Sequence, residues 1–262
     1  MKSVFFLLLV FFSFGILAQE NSALSVVEKK SLKADTFVGI DTFGDWYYIN
    51  NQTLFKRTSV ETFSFKDFQL GNIESVDLLN PLKITVFFPT HQTAIILDNK
   101  LNEIQRISFT MTPPFLNVLN ATTANDNRVW LFNEDTQQLG LFNYRTGNYQ
   151  TLSVPISEDY ITQKSNFNYC YLLTDKQLRL YNIYGSLLHS VPADSAKEIA
   201  INQNWVILKT ETLIKVYTAD LSRFFTLKNI EIDIKDLYLT DDFVYLYDSE
   251  FLHKAKLTET QD

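Results

Sequence analysis

Histidines are few in this sequence, and the histidines and acidic pairs that could catalyse a reaction are far apart along the chain. The candidates are the three histidines and two of the adjacent acidic pairs: His91, His189, His253, Glu134–Asp135 and Asp241–Asp242. Two carboxylates about 5–10 Å apart can hydrolyse a glycosidic bond, and a histidine can transfer protons near neutral pH. The histidines lie in three different predicted repeat units and the acidic pairs in separate turns. We therefore interpret all of them as ordinary strand and turn residues.

The sequence contains none of the common catalytic or nucleotide-binding motifs. It lacks Gly-x-x-x-x-Gly-Lys-Ser/Thr, Gly-x-Gly-x-x-Gly, Gly-x-Ser-x-Gly and His-Glu-x-x-His. Cys170 is the only cysteine, and its place in the apolar run Tyr169–Leu173 predicts a small core residue rather than a nucleophile. We predict no catalytic residue, no cofactor and no metal site. A hydrolase or lyase that uses Glu134, Asp135 or His91 as acid or base is the enzymatic alternative.

The N-terminus has the pattern of a secretory signal peptide. Lys2 precedes an apolar run over residues 4–17, and small or polar residues follow at Ala18, Gln19 and Glu20. The run is short for a membrane-spanning helix, and an uncleaved signal anchor is the alternative. We predict a signal peptide over residues 1–18 and, over residues 19–262, one exported, periplasmic domain without a membrane span.

The charge of the chain narrows the class of partner. The formal net charge is −7, and no cluster of Lys or Arg occurs. Nucleic acid and anionic lipid surfaces attract basic patches, so this pattern argues against both. A protein partner is the expectation that is left.

Short runs of β-branched and aromatic residues recur from Phe37 onward, without sustained helical periodicity. The runs come in pairs, and the second run of each pair begins at Thr53, Thr93, Gln138, Gln177, Thr212 and Glu250. These starts are 35–45 residues apart. A further run precedes each pair, and another usually follows it across a turn. Four strands at this spacing predict the blade of a β-propeller.

The predicted fold class is all-β, as a single β-propeller of six four-stranded blades. The sixth unit supplies only three strands, and Ala23–Glu28 is the predicted fourth, so that strands from both ends of the chain share one blade. Such closure avoids two exposed sheet edges. A pair of β-sandwiches is the alternative fold, although it does not explain the near-constant spacing. Rings of five or seven blades are the alternative counts.

One turn and one connector are predicted to contact a partner. His91 lies in the turn Pro89–Gln92, between the second and third strands of its unit, where propellers usually gather ligand-contacting loops. The connector Thr110–Leu116 follows and contains Met111, Pro113, Pro114 and Phe115. Its prolines stiffen the chain and remove two backbone donors, which suits a partly exposed protein contact. The alternatives are a plain polar turn at His91 and a connector packed onto the neighbouring blade.

Two stretches of the second repeat unit resemble a known group of proteins. Leu79–Phe88, with its Asn80-Pro81-Leu82-Lys83 entry, and Ile95–Ile104, with its Leu97-Asp98-Asn99 turn, are similar to exported propeller-like proteins of Bacteroidota-type bacteria. Within that group they resemble the periplasmic plug subunits of type IX secretion translocons. The resemblance implies a protein that occludes an outer-membrane barrel from the periplasmic side. It transfers no functional residue.

The predicted function is that of a non-enzymatic periplasmic β-propeller that binds a protein partner. An outer-membrane secretion or translocon subunit, bound as a plug or scaffold, is the specific expectation. A glycan- or small-ligand-binding propeller is one alternative and would show an exposed row of aromatic rings on one face. A hydrolase or lyase that uses the axial cleft is the other and would show carboxylates clustered in one pocket.

Overall fold

The structure is a computed structural model that describes residues 24–227, 230 and 232–257. The predicted signal peptide and the predicted mature start at Gln19 lie outside the described residues. Within the described ranges, no helix is long and apolar enough to cross a membrane.

The strands group along the chain into six consecutive sets, which we call blades 1 to 6. The first strand is β1 (Leu24–Ser31). Blade 1 contains β2 (Thr36–Ile40), β3 (Trp46–Asn50), β4 (Thr53–Arg57) and β5 (Thr62–Phe65). Blade 2 contains β6 (Ser75–Asp77), β7 (Ile84–Phe88), β8 (Thr93–Leu97) and β9 (Glu103–Ser108). Blade 3 contains β10 (Val118–Thr123), β11 (Arg128–Asn133), β12 (Gln138–Asn143) and β13 (Asn148–Thr151).

The second half of the chain continues the same pattern. Blade 4 contains β14 (Tyr160–Ser165), β15 (Tyr169–Thr174), β16 (Gln177–Asn182) and β17 (Leu187–Pro192). Blade 5 contains β18 (Glu198–Ile201), β19 (Trp205–Lys209), β20 (Ile214–Thr218) and β21 (Phe224–Leu227). Blade 6 contains β22 (Asp236–Leu239), β23 (Val244–Tyr247) and β24 (Phe251–Leu257). Short 3₁₀ helices span Pro89–His91 and Phe109–Met111.

Each blade is a four-stranded antiparallel sheet, and blade 6 closes the ring. Its strand order is β1-β24-β23-β22, so the N-terminal strand is the outer strand of the C-terminal blade. The predicted six-bladed propeller, closed by strands from both ends of the chain, is confirmed. The closing strand extends from Leu24 to Ser31, whereas Ala23 of the predicted strand lies outside the described residues.

Two predicted strand starts were wrong by one or two residues. The third strand of blade 5 begins at Ile214 rather than Thr212, and that of blade 6 at Phe251 rather than Glu250. In blade 5, the Thr210 hydroxyl accepts hydrogen bonds from the backbone N–H groups of residues 212 and 213. In blade 6, Asp248 accepts them from residues 250 and 251. These side chains hold the residues in turns, which the apolar pattern alone did not indicate.

Six clusters of buried apolar side chains form the core, one between each pair of neighbouring blades. Because both faces of a blade are covered by its neighbours, the middle strands β7 and β8 are buried at every position. The outer strand β17 is exposed along most of its length. Burial thus explains why the inner runs are almost continuously apolar and why the outer runs are not.

The antiparallel order gives the ring two distinct faces. The upper face, as we call it, carries the turns between second and third strands and the connectors between blades. The lower face carries the turns between first and second strands and between third and fourth strands. Leu24 of β1 pairs with Leu257 of β24 at the lower face, so both ends of the described chain emerge there.

Candidate functional site

The connector between blades 2 and 3, residues 109–117, is closed at its base. The Phe109 and Leu116 side chains are buried between the two blades, and the Leu116 N–H donates to the Phe109 carbonyl at 3.1 Å. The Phe109 ring packs edge-on against Phe142 with a centroid distance of 5.6 Å. The two ends of the connector are therefore fixed to the core and to each other.

The residues between these ends project from the upper face. Met111 is 86% exposed and Phe115 is 56% exposed, and Pro113 and Pro114 are also exposed. The Thr112 hydroxyl lies within hydrogen-bond distance of the Phe109 and Pro114 carbonyls, at 2.9 and 2.8 Å. The alternative of a connector packed onto the neighbouring blade therefore describes only its ends, and its middle keeps apolar side chains in solvent.

Gln92 clamps this connector to the turn of blade 2. Its side-chain oxygen accepts the Val118 N–H at 2.5 Å, and its side-chain nitrogen donates to the Val118 carbonyl at 3.1 Å. Its own carbonyl accepts the Phe109 N–H at 2.9 Å. Gln92 adopts the left-handed conformation, with φ 47° and ψ 48°, which lets its backbone and side chain reach both ends of the connector. No pattern in the sequence points to this residue.

His91 is the neighbouring residue of the same turn, and its side chain is exposed on the upper face. Its Nδ1 donates to the Leu70 carbonyl at 3.2 Å, since a carbonyl oxygen can only accept. Leu70 belongs to the connector between blades 1 and 2, residues 66–74. His91 therefore joins that connector to the turn. The next residue, Gln92, bonds the Phe109 N–H, so His91 also lies beside the base of the blade 2–3 connector.

The two acidic pairs considered for glycoside hydrolysis lie on opposite faces. Glu134 and Asp135 are exposed on the upper face in the turn between β11 and β12, and both accept hydrogen bonds from Asn117 Nδ2, at 3.1 and 3.0 Å. Asp241 and Asp242 are exposed in the turn between β22 and β23, on the lower face of blade 6. Blades 3 and 6 are also opposite each other in the ring. The four-residue strand β22 alone spans about 13 Å, so these pairs cannot flank one glycosidic bond.

The other residues considered for chemistry, Cys170, His189 and His253, lie in the core, on an outer strand and beside a turn, respectively. Cys170 is buried between blades 3 and 4, as predicted, and burial raises the pKa of its thiol. His189 lies on the outer strand β17, whereas His253 is buried on β24 with its Nε2 2.7 Å from Asp248 Oδ2. Although burial raises it, the hydrogen bonds from His253 and from two backbone N–H groups lower the pKa of Asp248 to about 2. This pair fixes the upper turn of blade 6.

Three carboxylates near the ring axis were missed by sequence analysis. Asp77, Glu198 and Asp236 belong to the innermost strands of blades 2, 5 and 6. They accept the backbone N–H groups of the next blade's innermost strand, at Thr123 (2.7 Å), Leu237 (2.9 Å) and Phe37 (2.8 Å). Burial raises the pKa of all three, against the opposing effect of nearby cations that include Lys164.

These carboxylates join neighbouring blades, because each one pairs an inner-edge N–H that would otherwise have no strand beside it. The sequence did carry a signal: Glu198 and Asp236 begin the apolar innermost runs. In the part of the chain that the structure describes, no group of three or more His, Cys, Asp or Glu side chains could hold a metal ion.

No family model and no curated protein matches this sequence. Several solved structures share its fold. BamB from Moraxella catarrhalis aligns over 92% of this chain and 99% of its own, with 14% identity and a TM-score of 0.55. Virginiamycin B lyase from Staphylococcus aureus aligns over 88% of this chain and 99% of its own, with 9% identity and a TM-score of 0.60.

A third similar structure is PorZ of Porphyromonas gingivalis, an essential bacterial surface component of the type IX secretion system. It aligns over 84% of this chain with 13% identity and a TM-score of 0.53, and this chain spans only 32% of the length of PorZ. The same fold therefore occurs in a lyase and in a secretion-system component. At these identities the similarity shows that the chain is a β-propeller, and it shows the fold alone.

Proposed function

We propose that this protein is a non-enzymatic, exported β-propeller that binds another protein through the upper face over blades 2 and 3. The observation that carries the proposal is the projecting middle of the blade 2–3 connector. Met111 and Phe115 stay exposed on a loop whose base is buried and hydrogen-bonded, so the loop is held in place without covering its own apolar side chains. Exposed apolar side chains on a rigid support are typical of protein contacts.

The partner that we propose is an outer-membrane secretion or translocon subunit on the periplasmic side. The resemblance of Leu79–Phe88 and Ile95–Ile104 to plug subunits supports it, and so does the occurrence of the same fold in a type IX secretion component. The secretory pattern of residues 1–18 supports an exported location. The three carboxylates near the ring axis, Asp77, Glu198 and Asp236, favour a structural role over a catalytic one, because each accepts a backbone N–H of the next blade.

Affinity purification from detergent-solubilised envelopes tests this proposal. A C-terminal tag would follow β24 at the lower face, away from the proposed contact. We expect an outer-membrane protein to co-purify with the natural chain and to be lost with the double variant Met111→Ser, Phe115→Ser. The double variant Val60→Ser, Tyr184→Ser changes two exposed residues of the lower face and should retain it. Retention of the partner by the first variant and its loss from the second would overturn the proposal.

A further inference from the structure

Exposed apolar side chains are not confined to the blade 2–3 connector. The preceding connector, residues 66–74, exposes Phe68 (86%), and the following one, residues 152–159, exposes Val154 (77%). We call the set Phe68, Met111, Phe115 and Val154 the apolar arc. By contrast, the large apolar side chain of the blade 6–1 connector, Leu32, is buried. The arc therefore covers three consecutive connectors on one side of the upper face.

Hydrogen bonds make these connectors one continuous rim. His91 joins the first connector to the blade 2 turn, and Gln92 joins that turn to the second connector. Asn117, at the end of the second connector, bonds the acidic turn of blade 3. The Ile156 N–H, in the third connector, donates to the Gln137 carbonyl of the same turn at 2.8 Å. A partner that contacts one connector would therefore meet the others at fixed positions.

One acidic pair of this rim, Glu134 and Asp135, is not neutralised by a salt bridge among the described residues. Glu134 and Asp135 lie between the second and third connectors, where one Asn117 amide holds both carboxylates close together. Elsewhere on the rim, the carboxylates of Asp67 and Glu158 form salt bridges with arginines. Among the described residues, no Lys, Arg or His forms a salt bridge with Glu134 or Asp135. Two adjacent carboxylates repel each other, so a cation from outside the chain would relieve that repulsion.

We propose that the apolar arc binds a segment of another protein in which apolar side chains flank an arginine or lysine. The apolar side chains cover Met111, Phe115 and Val154, and the cation is placed between Glu134 and Asp135. An arginine fits best, because its planar guanidinium can bond two carboxylates at once. This inference rests on the proposed function and adds the extent of the surface and the chemistry of the partner. A lipid surface is disfavoured, because anionic headgroups would be repelled by the same carboxylates.

Site-specific photo-crosslinking in the exporting cell tests the extent of the surface. A photoreactive phenylalanine analogue is placed singly at Phe68, Phe115 and Val154 of the full chain. Val60 and Tyr184 of the lower face, which are 90% and 85% exposed, are the matched control positions. We expect the same protein to be crosslinked from all three arc positions and from neither control. Crosslinking from Phe115 alone would overturn the arc but leave the proposed function standing.

Charge reversal tests the chemistry of the partner. We expect Glu134→Lys with Asp135→Lys to lower the crosslinking yield from Phe115 about tenfold, and the Gln and Asn replacements to lower it less. The matched control is Asp241→Lys with Asp242→Lys, an exposed acidic pair of the lower face, which should leave the yield unchanged. Raising the salt concentration from about 50 to about 500 mM should lower the crosslinking yield of the natural chain more than that of the variant Glu134→Gln with Asp135→Asn.

The remaining outcomes separate the two proposals. If all three arc positions crosslink but neither charge reversal nor salt changes the yield, the basic partner is overturned and the contact surface stands. Crosslinking from the lower-face positions alone, or from no position, would overturn both the inference and the proposed function.

Discussion

The blade 6–1 connector (residues 32–35) and the blade 2–3 connector (residues 109–117) occupy the same place in the repeat, yet their side chains have opposite surroundings. In the first, Leu32 is buried, and the Tyr247 hydroxyl is within hydrogen-bond distance of the carbonyls of Leu32 and Ala34 and accepts the Ala34 N–H. In the second, the base is bonded in a similar way, but Met111 and Phe115 between the ends are exposed.

The comparison of the two connectors shows that a few residues are enough to join one blade to the next. Four residues pass from blade 6 to blade 1, whereas nine pass from blade 2 to blade 3. Because the Leu116 N–H already bonds the Phe109 carbonyl, the exposed side chains of Met111 and Phe115 are not needed to join the blades. Their exposed apolar side chains are disfavoured in water, and the proposed partner would cover them. Substitutions in the seam between blades 6 and 1, and then in the blade 2–3 connector, test this difference.

Within the seam, the largest effect on stability is expected from Gly39→Ala. A Cβ atom at Gly39 would lie 2.4 Å from the Tyr238 ring of blade 6, and the backbone φ is +154°. Overpacking and backbone strain together should lower the free energy of unfolding by about 2–5 kcal/mol in urea denaturation. Gly44→Ala is the control, since φ is +84° but no atom lies within 4 Å of the added Cβ. Equal losses from the two variants would show that the close approach of blades 6 and 1 does not matter.

Tyr247→Phe should have the next largest effect. It removes the hydroxyl that accepts the Ala34 N–H and leaves that donor unpaired in a partly buried setting. We expect the free energy of unfolding to fall by about 1–3 kcal/mol. Tyr48→Phe, which alters a tyrosine packed against the same cluster, should change it by less than about 0.5 kcal/mol. Thermal unfolding of both variants and of the natural chain measures the difference. An unchanged stability in Tyr247→Phe would show that the Tyr247 hydroxyl does not hold the blade 6–1 connector.

Asp236 tests the seam through its pH dependence. Burial raises the pKa of Asp236 above 3.8, so the folded state binds this proton more tightly than the unfolded state. The stability from this group is fully present below pH 3.8 and is lost as pH rises through the folded pKa. Asp236→Asn keeps an acceptor for the Phe37 N–H but does not titrate.

The free energy of unfolding is measured from pH 3 to pH 8. As pH rises from 3.8 through the folded pKa of Asp236, Asp236→Asn should become more stable relative to the natural chain. Above that range the difference should be constant. Asp236→Ala, which leaves the Phe37 N–H without its acceptor, should be less stable than Asp236→Asn at every pH. A difference between Asp236→Asn and the natural chain that does not vary with pH would contradict the raised pKa.

The sequence predicts the ring well because burial on both faces of a blade forces the inner runs to be apolar. Val86 and Ile95 illustrate this, since both are fully buried in the middle of their strands. Closure followed from the missing fourth strand of unit six. The clamp by Gln92 could not be predicted, because it depends on a left-handed backbone and on contacts 26 residues away along the chain. The separation of the two acidic pairs onto opposite faces likewise follows only from strand direction.

Gln92→Ala tests whether the hydrogen bonds of Gln92 hold the blade 2–3 connector in place. Losing the hydrogen bonds to Val118 should lower the free energy of unfolding by about 0.5–1.5 kcal/mol. Amide hydrogen exchange at Val118 should become faster, while the amides of β11 keep their protection. Partner binding should weaken although Met111 and Phe115 are unchanged. Gln105→Ala on the exposed outer strand β9 is the control, and equal exchange at Val118 in both variants would rule out the clamp.

The smallest effect on stability is expected at the contact residues themselves. Met111→Ser with Phe115→Ser should change the free energy of unfolding by less than about 0.5 kcal/mol, because both side chains are exposed. Leu116→Ala, one residue further along, removes a side chain that is 1% exposed and should cost about 2–5 kcal/mol. Urea denaturation distinguishes the two. A marked loss of stability in the double variant would mean that Met111 and Phe115 support the ring, and the contrast between the two connectors would then disappear.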